Sequence, residues 1–187
     1  MSDFLRGINR FSPLSEEASD EFSHCIQTEI YQKGEMINSE RQICRHLFFV
    51  ESGLVKHYYY HNTSHYVLRF FEEGTFFLVT DSFFNNLPAE YSTVALEDSQ
   101  ISFLAYSDFE HLCLKHHTFE SFARKLISQV AFNTISKLKS QLYLDATERY
   151  RKFLDNYAHL QQRISLGDTA GYLGISQVSL SRIRARK

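Results

Sequence analysis

The chain of 187 residues is long enough to bury a hydrophobic core in one domain or in two small ones. Hydrophobic residues make up 43% and charged residues 22% of it, and only two prolines and seven glycines occur, which excludes a disordered or low-complexity chain. The net charge of −2 is unevenly distributed: residues 145–187 carry eight Lys/Arg and four acidic residues, so this end is +4 and the remainder is −6. A basic end on an acidic body is expected where one end alone meets phosphate groups.

Neither the apolar segments nor the cysteines indicate a membrane or secreted protein. No stretch approaches the ~18–20 apolar residues of a membrane span, and the N-terminus lacks the cationic and apolar regions of a signal peptide. Cys25, Cys44 and Cys113 are scattered without a C-x-x-C pair, which favours buried, reduced thiols over a disulfide scaffold or a metal site. We therefore expect a cytoplasmic protein with no metal or other cofactor.

The N-terminal part of the chain predicts a helix followed by a series of strands. Over residues 12–28 apolar residues recur at helical spacing behind serines that can cap the helix. From residue 30 to about residue 105 the apolar period changes to two, and turn residues interrupt it. The predicted strands cover residues 36–37, 46–51, 54–60, 66–71, 92–96 and 100–105. Short strands at such close intervals are typical of a small antiparallel barrel or jelly roll.

A long amphipathic helix is predicted next. Its apolar stripe consists of Phe119, Phe122/Ala123, Leu126/Ile127, Val130/Ala131, Ile135, Leu138 and Leu142. At about 35 Å this helix is longer than so small a barrel needs for cover, so we expect it to pair with its twin in a homodimer. The alternative is that it only caps the barrel. The cap-like pattern from Asp145 to Glu148 then predicts another helix that runs to about Tyr157.

The last twenty residues predict two short helices joined at Gly174, a pair that can place its second helix in a DNA major groove. Ser165 and Asp168 can each satisfy a free N–H at the start of the first helix, and Gly174 can supply the positive φ of a sharp turn. Ser176 can cap the second helix. The residues expected between the two helices are Ala170, Leu173, Ile175, Leu180 and Ile183.

The opposite face of the second helix carries side chains that can reach bases or phosphates. The predicted DNA-binding residues are Ser176, Gln177, Ser179, Ser181, Arg182, Arg184, Arg186 and Lys187. An ordinary amphipathic hairpin that packs on its own protein is the alternative, and the positive charge of this end favours DNA over it.

Barrel, long helix, short helix and helix-turn-helix, in this order, resemble the cyclic-AMP receptor protein/FNR (CRP/FNR) family of bacterial transcription regulators. The most specific segments are YQKGEMI at 31–37, LFFVESGLV at 47–55, DATERY at 145–150, YLGIS at 172–176 and LSRIR at 180–184. The resemblance implies an α+β fold with a cyclic-nucleotide-binding-like sensory barrel or jelly roll at 1–115, a dimerisation helix at 116–143 and a helix-turn-helix DNA-binding domain at 144–187. It also implies a homodimer on a pseudo-palindromic double-stranded DNA site, a small-molecule effector of unknown identity, RNA polymerase as a further partner, and no membrane.

The chain departs from this family at the ligand. Members that bind cyclic nucleotides carry a Gly-Glu pair, whose Glu takes the ribose hydroxyl, and an Arg that pairs with the cyclic phosphate. Counted from Gly74, these positions fall on Leu78-Val79 and on Tyr91, so both charges are missing and cyclic AMP is not expected to bind. The residues left to meet another effector are Leu78, Val79, Asp81, Ser82, Tyr91 and Ser92. A filled pocket without a ligand is the alternative.

Other sensing chemistries are disfavoured. An iron–sulfur sensor needs four cysteines where this chain has three. His57, His61 and His65 are regularly spaced but straddle a predicted turn, where that spacing does not gather metal ligands. A cupin-like ligand-binding or interaction module has no need of the basic tail, and a cupin-like metalloenzyme would need spaced His and carboxylate ligands, so we expect no enzymatic activity.

The predicted recognition helix also differs from that of many relatives. Many relatives carry an acidic residue early in this helix, and this chain has Val178 there. The DNA sequence that those relatives bind is therefore not expected to be the target of this protein. Arg182 matches the position that we expect to read a guanine.

Overall fold

The computed structural model describes residues 2–62 and 64–185. The helices before the strands are α1 (Asp3–Phe11) and α2 (Glu16–Cys25). The strands are β1 (Gln27–Tyr31), β2 (Met36–Asn38), β3 (His46–Ser52), β4 (Val55–His61), β5 (Ser64–Phe71), β6 (Phe76–Leu78), β7 (Ser92–Ala95) and β8 (Ser99–Ala105). The remaining helices are α3 (Thr80–Asn85) between β6 and β7, then α4 (Tyr106–Lys115), α5 (His117–Tyr143), α6 (Ala146–Tyr157), α7 (Leu166–Leu173) and α8 (Gln177–Ala185).

The strands form two four-stranded antiparallel sheets, with the orders β1-β8-β3-β6 and β2-β7-β4-β5. The sheets share an apolar core: Phe48 and Ile101 come from the first, Val55 and Phe71 from the second. Their side chains alternate along each strand, so each sheet keeps an outer face for another layer. This confirms the antiparallel jelly roll of the predicted α+β fold.

Helices cover the outer faces of both sheets. On the first sheet, α1, α2, α4 and the start of α5 form a cluster that is rich in phenylalanine. On the second sheet, Val67 and Phe70 of β5 pack against residues of α6, α7 and α8, among them Phe153, Leu173 and Leu180. The barrel therefore separates two helical layers, and the C-terminal helices rest directly on β5.

The N-terminal helices differ from the prediction. Helix α1 was not predicted; it buries Phe4 and Ile8 and is closed at Ser12, whose N–H bonds to the carbonyl of Ile8. The predicted helix at 12–28 is shorter in the structure because Ser15 caps it, accepting from the N–H of Ala18 (3.3 Å). It ends at Cys25, since the chain from residue 27 onward pairs with β8.

Two strands were also missed, for opposite reasons. Four of the five residues of β1 are exposed, so it lacks the apolar alternation of a half-buried strand and is held by its pairing with β8. All three residues of β6 are buried, and so short a run has no period to detect. Both strands are defined by their partners.

The long helix α5 carries two different apolar surfaces. Phe119, Phe122 and Leu126 are buried in the core of the chain, whereas Leu138 and Leu142 are 55% and 67% exposed. The prediction of one continuous stripe that pairs with a twin is therefore wrong for the first half, which packs on the barrel side. In the described part of the chain, no helix is both long enough and apolar enough to cross a membrane, and this includes α5.

Candidate nucleic-acid interface and effector cleft

The first helix of the C-terminal pair begins and ends as predicted. Ser165 caps α7 by accepting a hydrogen bond from the N–H of Asp168 (3.0 Å). Gly174 closes the helix in the left-handed conformation, with φ 68° and ψ 38°. The N–H of Ile175 can then reach the carbonyl of Ala170 (3.1 Å). These local contacts determine where the chain turns toward α8.

The buried side of α8 is also as predicted. Ser176 caps the helix, because its hydroxyl accepts from the N–H of Ser179 (3.1 Å). The two serine hydroxyls lie 3.0 Å apart, so Ser179 is occupied at the cap. Leu180 is fully buried in the C-terminal core, and Ile183 packs half-buried beside it.

The opposite side of α8 faces solvent. Its exposed polar residues are Gln177, Ser181, Arg182 and Arg184. Val178 is exposed on the same side. Since the helix is held through Leu180 and Ile183, these side chains can meet another molecule without disturbing the core. The predicted contacts Arg186 and Lys187 lie outside the described residues.

The carboxylate of Asp168 does not cap α7 as predicted. It accepts hydrogen bonds from the hydroxyl of Ser165 (2.7 Å) and from Nζ of Lys56 on β4. Lys56 is also largely withdrawn from water, so an unpaired ammonium there would be costly. The ion pair joins the start of α7 to the barrel.

Close backbone contact holds the middle of α7 on β5. A Cβ atom at Gly171 would lie 2.9 Å from the carbonyl oxygen of His65 and 3.2 Å from its Nδ1. Because those neighbours include backbone, no side chain fits at this position without moving the helix off the strand.

Two cations hold the C-terminal end of α7. Nζ of Lys137, from α5, donates to the carbonyl of Tyr172 (2.6 Å). Arg149, from α6, donates to the carbonyl of Leu173 (3.0 Å) through Nε and to that of Leu144 (2.7 Å) through Nη1. The last carbonyls of a helix carry partial negative charge, so cations are favourable there. Helix α7 is thus attached to the barrel at one end and to α5 and α6 at the other.

A cleft of about 630 Å³ lies behind α7, between the mouth of the barrel, the second half of α5, and α6. Its inner end is aromatic and apolar, with Phe71, Phe77 and Leu78 from the barrel. Its basic lining residues include Arg69, whose guanidinium lies over the ring of Phe71, and Lys137. Clefts of this size commonly hold small-molecule ligands.

Residues 28–116, which form the barrel and α4, match the family of the cyclic nucleotide-binding domain. The barrel is thus similar to cyclic nucleotide-binding domains. No curated protein matches the chain in sequence. The predicted resemblance to the CRP/FNR regulators is confirmed at the level of the fold by solved structures that span most of this chain.

Three of these structures illustrate the likeness. FixK2 from Bradyrhizobium japonicum is 20% identical over 86% of this chain and 83% of its own, with a TM-score of 0.73. A chain from Eubacterium rectale, assigned to the CRP/FNR transcriptional regulators, is 14% identical over 92% and 83%, with a TM-score of 0.73. The c-di-GMP responsive global regulator CLP from Xanthomonas campestris is 16% identical over 92% and 91%, with a TM-score of 0.72.

The barrel places the six predicted effector residues in different surroundings. Leu78 and Tyr91 line the cleft, and the Tyr91 hydroxyl accepts from the N–H of Thr80 (3.3 Å). Val79 is fully buried in the core between the sheets. The other three predicted residues, Asp81, Ser82 and Ser92, do not line the cleft.

The two serines of that group already have backbone partners. Ser82 on α3 donates to the carbonyl of Leu87 (2.6 Å). The hydroxyl of Ser92 accepts from the N–H of Glu40 (3.0 Å). Both hydroxyls therefore hold loops of the barrel, and Asp81 lies half-buried in the first turn of α3.

The three regularly spaced histidines do not meet. His57 is buried inside the domain, where Nδ1 lies 2.9 Å from the Thr93 hydroxyl, and burial lowers the pKa of His57 to about 3. His61 ends β4, and His65 faces Asp168 at 3.9 Å. Residues 2–62 and 64–185 contain no group of three His, Cys, Asp or Glu side chains able to hold a metal.

The side chains that place α7 were not predicted from the sequence; they are Lys56, Lys137 and Arg149. Each is an ordinary cation on a strand or helix, and Lys56 lies 112 residues from Asp168. The one available signal was a lysine beside the apolar residues at the start of a predicted strand, because a lysine that is buried there needs a partner.

Proposed function

We propose that the protein is a homodimeric transcription regulator that binds double-stranded DNA through α8. The observation that carries the proposal is the division of α8 into a buried side, anchored by Leu180, and an exposed side with Arg182 and Arg184. A capped helix that follows a left-handed glycine turn and presents cations to solvent suits the major groove. In this proposal residues 1–115 are a sensory domain, 116–143 a dimerisation helix and 144–187 the DNA-binding domain.

Arg182 has the role of the base reader in this proposal. It lies on the exposed side of α8 in its second turn, and guanidinium groups pair bidentately with guanine in the major groove. Arg184, two residues further along α8, neutralises a phosphate. Gln177 and Ser181 lie on the same side and complete the contact.

A second copy of the chain covers the second half of α5. Ile135, Leu138 and Leu142 are spaced by three and four residues, and each is more than half exposed. A helical apolar stripe of this kind is complementary to itself and favours a two-fold pairing. The two copies of α8 would then read a pseudo-palindromic site.

The sensory domain does not take cyclic AMP in this proposal, and the protein is not an enzyme. Val79, at the position of the family's ribose-binding Glu, is buried among apolar side chains of the core. Tyr91 stands in place of the phosphate-binding Arg and offers no positive charge.

Selection of binding sites from random duplexes tests the proposal. We expect the full chain to enrich a symmetric site with half-sites about one helical turn apart. Arg151→Ala is the matched control for Arg182→Ala, because Arg151 is an exposed arginine of α6. Enrichment of no symmetric site, or equal loss with both variants, would contradict the proposed role of α8.

A further inference from the structure

The cleft behind α7 is lined by positive charge from three different elements. Arg69 of β5, Lys137 of α5, and Arg149 and Lys152 of α6 all line it, and no Asp or Glu of the described residues does. None of these four cations takes part in an ion pair of the described chain. Basic side chains without a carboxylate partner around one cleft create a positive potential inside it.

The partners of these cations are neutral. Lys137 and Arg149 donate to main-chain carbonyls, and Lys152 lies 3.4 Å from the hydroxyl of Ser136. Burial, and then the charges of Arg149 and Lys152, lower the pKa of Lys137 to about 7. Protonation of Lys137 therefore costs free energy in the folded protein, and the negative charge of an anion in the cleft would offset that cost.

The inner end of the cleft has a second feature that points to a ligand. His57 lines it and is only 5% exposed, and its Nε2 makes no hydrogen bond of normal geometry among the described residues, although the ring lies near the backbone of Leu78. An unpaired polar atom at such depth is costly, so it is normally matched by a partner group. The rings of Phe71 and Phe77 flank His57 and offer flat apolar surface beside that atom.

We propose that this cleft binds a small organic anion whose flat apolar body lies at the barrel mouth and whose acidic group meets Lys137, Arg149 and Lys152. The charges that hold the acidic group come from the helices, whereas the strands of the domain supply the apolar end. A ligand with an aromatic ring at one end and a phosphate or carboxylate at the other fits this arrangement. The arrangement differs from the cyclic-nucleotide site of the family, in which the phosphate-binding arginine lies at the position of Tyr91.

Binding there has a direct consequence for α7. Lys137 and Arg149 hold the carbonyls of Tyr172 and Leu173, and an anion competes for the same donors. A ligand that takes these donors changes the attachment of α7 and hence the position of α8. This consequence, unlike the binding itself, rests on the proposed DNA-binding function.

Fluorescence titration with 8-anilinonaphthalene-1-sulfonate, an aromatic anion, tests the site without DNA. We expect one saturable site per chain, and Lys137→Met and Lys152→Met should each raise its Kd about tenfold, the effect of one charge-assisted hydrogen bond. Lys139→Met is the matched control, because Lys139 lies exposed on the same helix. The neutral dye N-phenyl-1-naphthylamine should not distinguish these variants from the wild type.

Displacement of the dye by phenyl phosphate or by benzoate identifies which acidic group the cations prefer. Lys152→Met keeps the assay interpretable if Lys137→Met does not fold, since a hydroxyl is the only hydrogen-bond partner of its Nζ among the described residues. Equal dye affinity in the wild type and Lys152→Met, or an equal loss in Lys139→Met, would overturn the site. Dye binding that leaves the DNA affinity unchanged would overturn the coupling alone, and an absence of DNA binding would leave the dye result intact.

Discussion

Lys56 on β4 donates a hydrogen bond to Asp168 on α7, and each side chain is only 11% exposed. The pair joins two parts of the chain that are 112 residues apart, and no other carboxylate forms a salt bridge to Lys56 within the described residues. A buried pair of this kind is expensive to break, because the remaining charge keeps its desolvation cost. It therefore couples the placement of α7 to the integrity of the barrel.

Removal of one partner tests this coupling. We expect Lys56→Met to lower the free energy of unfolding by about 3 kcal/mol, since Asp168 stays buried without its cation. The double variant Lys56→Met/Asp168→Leu should recover most of that loss. Urea denaturation of the single and double variants measures the effect, with Lys139→Met as the exposed control. Additive losses in the double variant would contradict a direct interaction.

Arg182→Ala should weaken binding to the selected DNA site by ~1–3 kcal/mol per half-site and relax the preference at one base pair. Arg184→Ala should weaken all sequences alike and reduce the salt dependence by about one unit of slope. Salt titrations with the selected site and with unrelated duplexes separate these outcomes. An unchanged base preference in Arg182→Ala would show that another residue reads the site.

Leu126 and Leu138 lie on the same helix and should respond differently to Asp. Leu138→Asp should give a folded monomer, because Leu138 is 55% exposed and lies outside the buried core clusters of the described residues. Leu126→Asp should prevent folding, since it places a charge in the core. Sedimentation and circular dichroism measure the two effects. A wild-type monomer in solution would remove the dimer from the proposal.

Cyclic AMP and cyclic GMP at 1 mM should not raise the melting temperature of the protein. The reason is the absence of an acid at Val79 and of a cation at Tyr91, the positions where both charges are needed. A ligand present at 100 times its Kd stabilises the folded state by about 2.7 kcal/mol, so binding at micromolar Kd would be seen easily at this concentration. Thermal melts with and without nucleotide measure this. A saturable shift would show that the ribose and phosphate are bound by other residues.

The pKa of Lys137 predicts a pH dependence of stability. Because its folded pKa of about 7 lies below the ordinary 10.5, the unfolded chain binds one more proton between these values, and stability must rise with pH there. The free energy of unfolding of the wild type relative to Lys137→Met should therefore increase by about 1 kcal/mol per pH unit between about pH 7.5 and 9. Below about pH 6 the difference should be flat. Lys139→Met should show no such slope.

The features that the sequence alone determined are local. Ser165, Gly174 and Ser176 act through hydrogen bonds to residues at most four positions away, so propensity and spacing were enough to predict them. The same holds for the capping box of α6, in which Asp145 and Glu148 satisfy each other's N–H groups. Alternating apolar residues likewise predicted most strands of the barrel.

Tertiary structure alone decided which surface each element meets. Leu126 and Leu138 belong to one periodic stripe, yet the first is buried in the cluster of α1, α4 and the first sheet and the second is exposed, because periodicity describes a face and not its partner. The carboxylate of Asp168 was predicted as a cap and pairs with Lys56, since a buried ammonium outside its local sequence competes for it. The cations of the cleft come from β5, α5 and α6, so their shared potential exists only where the fold brings these elements together.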